Sequence, residues 1–123
     1  MTIKTLIAAF MLMLPPLAGH AHSPSIGHNG GPQTDAGTYH AELVVKGTEL
    51  QVYLRDHSDK PVSTQGFKGV AIFVMGGKTE RITLAPSGDN VLKGTATVTL
   101  PATPKGAVQI TPPSGPTVQA RFN

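Results

Sequence analysis

The chain has no cysteine and no tryptophan. Without cysteine there is no disulfide scaffold, no thiolate metal site, no cysteine nucleophile and no lipid-anchored cysteine. Charged residues make up only 14%, against a usual share of about 25%. That excludes a coiled coil and a charged disordered tail. The formal net charge of +3 is a small imbalance between few charges, with no basic cluster. A nucleic-acid partner is therefore not expected. There is no Gly-x-Ser-x-Gly elbow, no His-Glu-x-x-His, no phosphate-binding loop and no dinucleotide fingerprint, so neither an enzyme nor an organic cofactor is expected.

What the chain does have is 14 Gly, 11 Pro and five His among 123 residues. At this length one domain is expected. The glycine and proline content suits short strands joined by turns.

The first segment reads as a secretory signal peptide, 1–21. Lys4 supplies a positive start, Leu6 to Leu14 is an unbroken apolar run, and Pro15-Pro16 ends it. Gly19-His20-Ala21 then offers a small-residue cleavage site. The run is about half the roughly 20 residues needed to span a bilayer. Once it is removed, no transmembrane segment is expected, and the expected location is secreted and periplasmic. Residues 22–37 are rich in Ser, Gly, Pro and Asn, with Ile26 as a lone large apolar residue. They read as a flexible arm.

Residues 38–123 read as an all-β domain. Runs of β-formers alternate with turn signals, giving strands near 38–46, 49–56, 69–75, 79–84, 93–100, 106–111 and 117–122. The expected architecture is a single immunoglobulin-like antiparallel β-sandwich of about seven strands. A small β-barrel is the alternative. No sustained helical period is present in this region.

The first hairpin carries its own register. Gly47-Thr48 suits a two-residue type II′ turn, which pairs Lys46 with Glu49 and His40 with Arg55. One face then holds Tyr39, Ala41, Leu43, Val45, Leu50, Val52 and Leu54, the expected core side. The other holds His40, Glu42, Val44, Lys46, Glu49, Gln51, Tyr53, Arg55 and His57. A slip of one residue would bury the charged set. In this register His40 and His57 are diagonal neighbours, about 7–8 Å apart at Cβ or somewhat less. Two imidazoles so placed can reach one ion, with Glu42 on the same face. Imidazole with carboxylate points to a divalent transition metal: copper, zinc, nickel or cobalt. His28 in the arm is a further candidate ligand. His22, if cleavage leaves it first, would offer an amino and a ring nitrogen to one copper ion.

The stretch His28-Asn29-Gly30-Gly31-Pro32, Gly37-Thr38-Tyr39-His40-Ala41-Glu42-Leu43-Val44-Val45 and Leu50-Gln51-Val52-Tyr53-Leu54-Arg55-Asp56-His57-Ser58-Asp59-Lys60-Pro61-Val62 resembles the N-terminal periplasmic region of heavy-metal efflux adaptor proteins. These are the membrane-fusion subunits of copper/silver and cobalt/zinc/cadmium exporters. The stretch is also similar to small stand-alone periplasmic proteins of proteobacteria. The resemblance implies metal handling in the periplasm and, by position, points to His28, His40, Glu42 and His57. The chain lacks the adaptors' coiled-coil hairpin, lipoyl-like domain and methionine ligands. The implied role is thus an accessory, buffer or chaperone to a metal-efflux system. The competing reading is a metal-free periplasmic module that uses a sheet face or edge to hold a protein partner.

Overall fold

The computed structural model describes residues 25–123. The expected signal segment 1–21 and His22 lie outside them. The described chain contains no helix, and none is long and apolar enough to cross a membrane.

Among the described residues nine strands form, all paired antiparallel: β1 (Ser25–Ile26), β2 (Pro32–Ala36), β3 (Tyr39–Lys46), β4 (Glu49–Asp56), β5 (Lys68–Met75), β6 (Lys78–Pro86), β7 (Val91–Thr95), β8 (Gly106–Thr111) and β9 (Val118–Phe122). They make one curled sheet in the order β1-β2-β3-β4-β7-β6-β5-β8-β9. The all-β architecture expected from the sequence is present. The two layers are halves of a continuous sheet, and β6 is the bend between them. Its Lys78–Leu84 stretch pairs with β5, and its last residues, Ala85 and Pro86, pair with β7.

The register of β3 against β4 is as the Gly47-Thr48 turn requires: Lys46 opposite Glu49 and His40 opposite Arg55. Gly47 takes a positive φ of 63°, the first-position geometry of a type II′ turn. Ala41, Leu43, Leu50, Val52 and Leu54 are fully buried, and Tyr39 and Val45 pack against them. Phe73, Ile82, Leu92, Val108 and Ile110 complete the core from the other strands. Tyr39 meets Phe67 edge-on, ring centres 5.7 Å apart, a favoured aromatic geometry.

Two expectations are corrected. Residues 25–37 are not wholly an arm: Ser25–Ile26 and Pro32–Ala36 are strands, with Asp35 opposite His40 and Gln33 opposite Glu42. The turn that enters β3 is Gly37-Thr38, a copy of the dipeptide at 47–48, and Gly37 has φ 59°. Second, the strand expected at 93–100 ends at Thr95. Residues 96–100 fold back on the β3–β4 turn: the Ala96 and Leu100 amides donate to the carbonyls of Thr48 (2.8 Å) and Gly47 (2.9 Å). Glu80 holds the bend by accepting from the Thr97 amide and hydroxyl at 2.8 and 2.9 Å.

Gly37 also sits against β9, where an added Cβ would run into Val118. This brings the two ends of the curled sheet together. We expect Gly37→Ala to lower stability in urea more than Gly47→Ala. Both substitutions hold an L-residue at positive φ, at a cost of about 1–3 kcal/mol. Only the first also collides with a neighbour, since the space around Gly47 is open. Equal losses would show that β9 yields freely to β2.

Candidate metal centre

Glu42 is where the structure departs most from the simple alternation of faces. It lies on the outer side of β3 yet is only 2% exposed, because the loop between β1 and β2 covers it. Its Oε2 accepts from the backbone amides of Asn29 and Gly31, both at 2.9 Å, and its Oε1 accepts from the Asn29 side chain at 3.1 Å. Such bonds to a carboxylate are stronger than those between neutral groups. Side chains at Gly27 and Gly31 would strike the Glu42 carboxyl and the Leu43 carbonyl. The Gly-rich run that reads as flexible is therefore what allows close backbone approach. Glu42, expected as a ligand, is instead the anchor of the β1–β2 hairpin.

That hairpin brings Asp35 to the histidines. His40 Nε2 and His57 Nδ1 are 3.0 Å apart, with ring centres at 4.9 Å and planes at 75°. Asp35 Oδ1 lies 3.8 Å from His40 Nε2. Each of the three residues offers one ligand atom within 4.8 Å of the others. Asp35 and His40 are half-buried, and His57 is exposed. Reading residues 22–37 as an arm conceals Asp35. The repeated Gly-Thr dipeptide before Tyr39 is the sequence signal for its strand.

One tautomer of His40 satisfies both of its ring contacts. The Gln33 amide nitrogen, as placed, faces His40 Nδ1 at 3.3 Å. His40 Nδ1 then accepts, so its proton sits on Nε2 and is donated to His57 Nδ1. An ion entering between the rings takes the place of that proton, which moves to His40 Nδ1, where the Gln33 side-chain amide can turn its oxygen to accept it. Two nitrogens bound tetrahedrally to zinc at about 2.0–2.1 Å lie about 3.3 Å apart, so the two ring nitrogens, 3.0 Å apart, would open slightly to hold it.

His28 stands apart from this trio. Its Nε2 meets Asp59 Oδ2 at 2.7 Å. Asp59 is the one described non-glycine residue at positive φ, 64°. It ends a turn in which Asp56 Oδ1 accepts from the Ser58 and Lys60 amides at 2.9 and 3.0 Å. Arg55 donates from one terminal nitrogen to the Asp59 carbonyl at 2.9 Å, while its buried Nε has no partner. Farther along the face, Tyr53, Gln51 and Glu49 form a side-chain chain: Tyr53 donates to Gln51 (2.9 Å) and Gln51 to Glu49 (3.1 Å). The sequence-expected residues thus separate. His40 and His57 come together, Glu42 and His28 serve other contacts, and Asp35 joins the pair.

Comparison with protein-family models, with curated proteins and with solved structures finds no match. The site is therefore read from its own geometry.

Two outcomes are expected. Glu42→Gln should lower stability by about 1–3 kcal/mol, since it weakens bonds to amides that are then left poorly paired. Proteolysis should read this first as faster cleavage within residues 25–36. An unchanged cleavage rate would mean that the hairpin is held by other contacts. The second concerns Asp59, whose carboxyl is held below its ordinary 3.8, chiefly by the hydrogen bond from His28. A lowered carboxyl stabilises the fold above its unfolded value, and the contribution is lost as pH falls through the lowered value. Carboxyl NMR titration should therefore show Asp59 titrating below 3.8 in the native protein and moving back up in His28→Ala.

Proposed function

We propose that the chain is a periplasmic divalent transition-metal-binding accessory protein, acting as a buffer or chaperone linked to metal export. The observation that carries this reading is the approach of His40 Nε2 to His57 Nδ1 at 3.0 Å, with Asp35 Oδ1 at 3.8 Å. Two imidazoles and one carboxylate suit a borderline ion such as zinc, copper(II), nickel or cobalt. Calcium would require more oxygen ligands and no imidazole. A site with no thiolate and one exposed imidazole holds its ion exchangeably, as a carrier must. The link to export follows the expectation raised by the motifs of residues 28–62, with no matched protein behind it. The signal-like start of the sequence supports the location.

The second reading, a metal-free interaction module, is favoured by one observation. The His40–His57 hydrogen bond and the Gln33 contact satisfy three of the four ring nitrogens without an ion.

Calorimetric titration with zinc, copper(II), nickel and cobalt separates the two. Micromolar or tighter binding is expected, and it should weaken as pH falls, because an imidazole must be unprotonated to ligate. His40→Ala, His57→Ala and Asp35→Asn should each weaken it. Glu42→Gln, which touches no ligand, should weaken it less than the ligand variants do, through the loosened β1–β2 hairpin. Absence of binding by the native protein would support the interaction module. Unchanged binding in the double variant His40→Ala/His57→Ala would overturn the site.

A further inference from the structure

The opposite layer of the molecule carries a feature that the metal site does not explain. Strand alternation aims Val70, Ile72 and Val74 of β5 outward, with Lys68 at the end of that row. The flanking strands add Thr79, Arg81 and Thr83 of β6, Ala107 and Gln109 of β8, and Gln119 and Arg121 of β9. The pairing register places Arg81, Ile72, Ala107 and Arg121 in one row across four strands. Lys105 stands beside Val74, whose amide donates to its carbonyl at 3.0 Å.

Among the described residues, this face holds four exposed cations (Lys68, Arg81, Lys105 and Arg121) and not one carboxylate side chain. Glu80, the acid of β6, points to the inner side and is held by Thr97. The ion pairs among the described residues include none of the four cations. Down the centre runs the apolar row, in which Val74 is 59% exposed. Val74 also opens onto a shallow hollow of about 640 Å³, lined by Met75, Leu100, Pro101, Thr103 and Lys105. The surface is thus cationic and apolar at once, and the two characters meet at Val74 and Lys105.

We infer that this face docks on an anionic lipid bilayer. A bilayer surface presents negative headgroups over an apolar layer, and this face complements both. Lys and Arg near an anionic bilayer gain attraction from its surface potential, and the exposed valine and the hollow gain by leaving water. Nucleic acid and sugar surfaces are disfavoured because the face has no aromatic side chain on which a base or ring could stack. Both phenylalanines of these strands, Phe73 and Phe122, are buried inward. Docked this way, the protein would turn the His40–His57 face toward solvent. The inference itself does not depend on metal binding.

The test is sedimentation of the purified protein with vesicles of phosphatidylglycerol mixed equally with phosphatidylcholine, and with vesicles of phosphatidylcholine alone. Binding to the anionic vesicles only is expected, and it should fade as salt is raised. Arg81→Gln/Arg121→Gln should weaken it by about 25-fold at low salt, about five-fold for each cation. Val74→Ser should weaken it without altering the salt dependence. Lys46→Gln/Lys60→Gln, on the other layer, and His40→Ala should leave it unchanged. All of these positions are exposed or half-buried, and a thermal melt of each variant checks the fold. No sedimentation with anionic vesicles would overturn the inference. So would equal losses in the two charge pairs, or binding to soluble polyglutamate without binding to vesicles, which would assign the face to an acidic polypeptide.

Discussion

Gly47 reverses the chain in two residues, and the period of two that it imposes on β3 and β4 governs both the core and the site. With Lys46 opposite Glu49, five aliphatic side chains lose all contact with water and become the floor of the core. The same phase sends His40 and His57 to the other side. Core and site are therefore not separate designs. A strand whose inner face must be apolar leaves its outer face free for chemistry, and a slip of one residue would exchange the two sets.

The outer face is then divided by one buried carboxylate. Glu42 draws the amides of Asn29 and Gly31 onto itself, and that contact sets β2 beside β3. Asp35 reaches His40 only because β2 is held there. The Gly-rich loop supplies close approach and three donors, so its lack of side chains serves packing and not mobility. The cost of burying a carboxylate is offset locally by those donors. The apolar strands beneath are left unbroken.

Much of this can be read from residues in order. The all-β class, the β3–β4 register, the apolar face and the pairing of His40 with His57 all derive from alternation and from turn chemistry at Gly47. The Gly76-Gly77 turn between β5 and β6 is equally legible, with both glycines at positive φ, 55° and 77°. β2 is not legible. Gln33, Thr34 and Asp35 carry no hydrophobic alternation, and only Ala36 of that strand is buried. Its pairing comes from β3 and from the Glu42 anchor, which local pattern does not report. The strand expected at 93–100 is too long because Thr97, Val98 and Thr99 favour β structure. The hydrogen bonds from Ala96 and Leu100 to the β3–β4 turn overrule that preference.

Sequence alone determined that the molecule is built of antiparallel strands, and it determined which two histidines share a face. Both depend on neighbours a few residues apart and on a repeat of two. Tertiary structure alone decided that Glu42 would be an anchor and Asp35 a companion of His40, and that among the described residues four cations would gather on the opposite layer without a carboxylate side chain. The gathering of the cations depends on strand order, in which β7 enters between β4 and β6 and β8 joins β5. Pairings over such separations are settled by the burial of the whole core and not by the residues of any single strand.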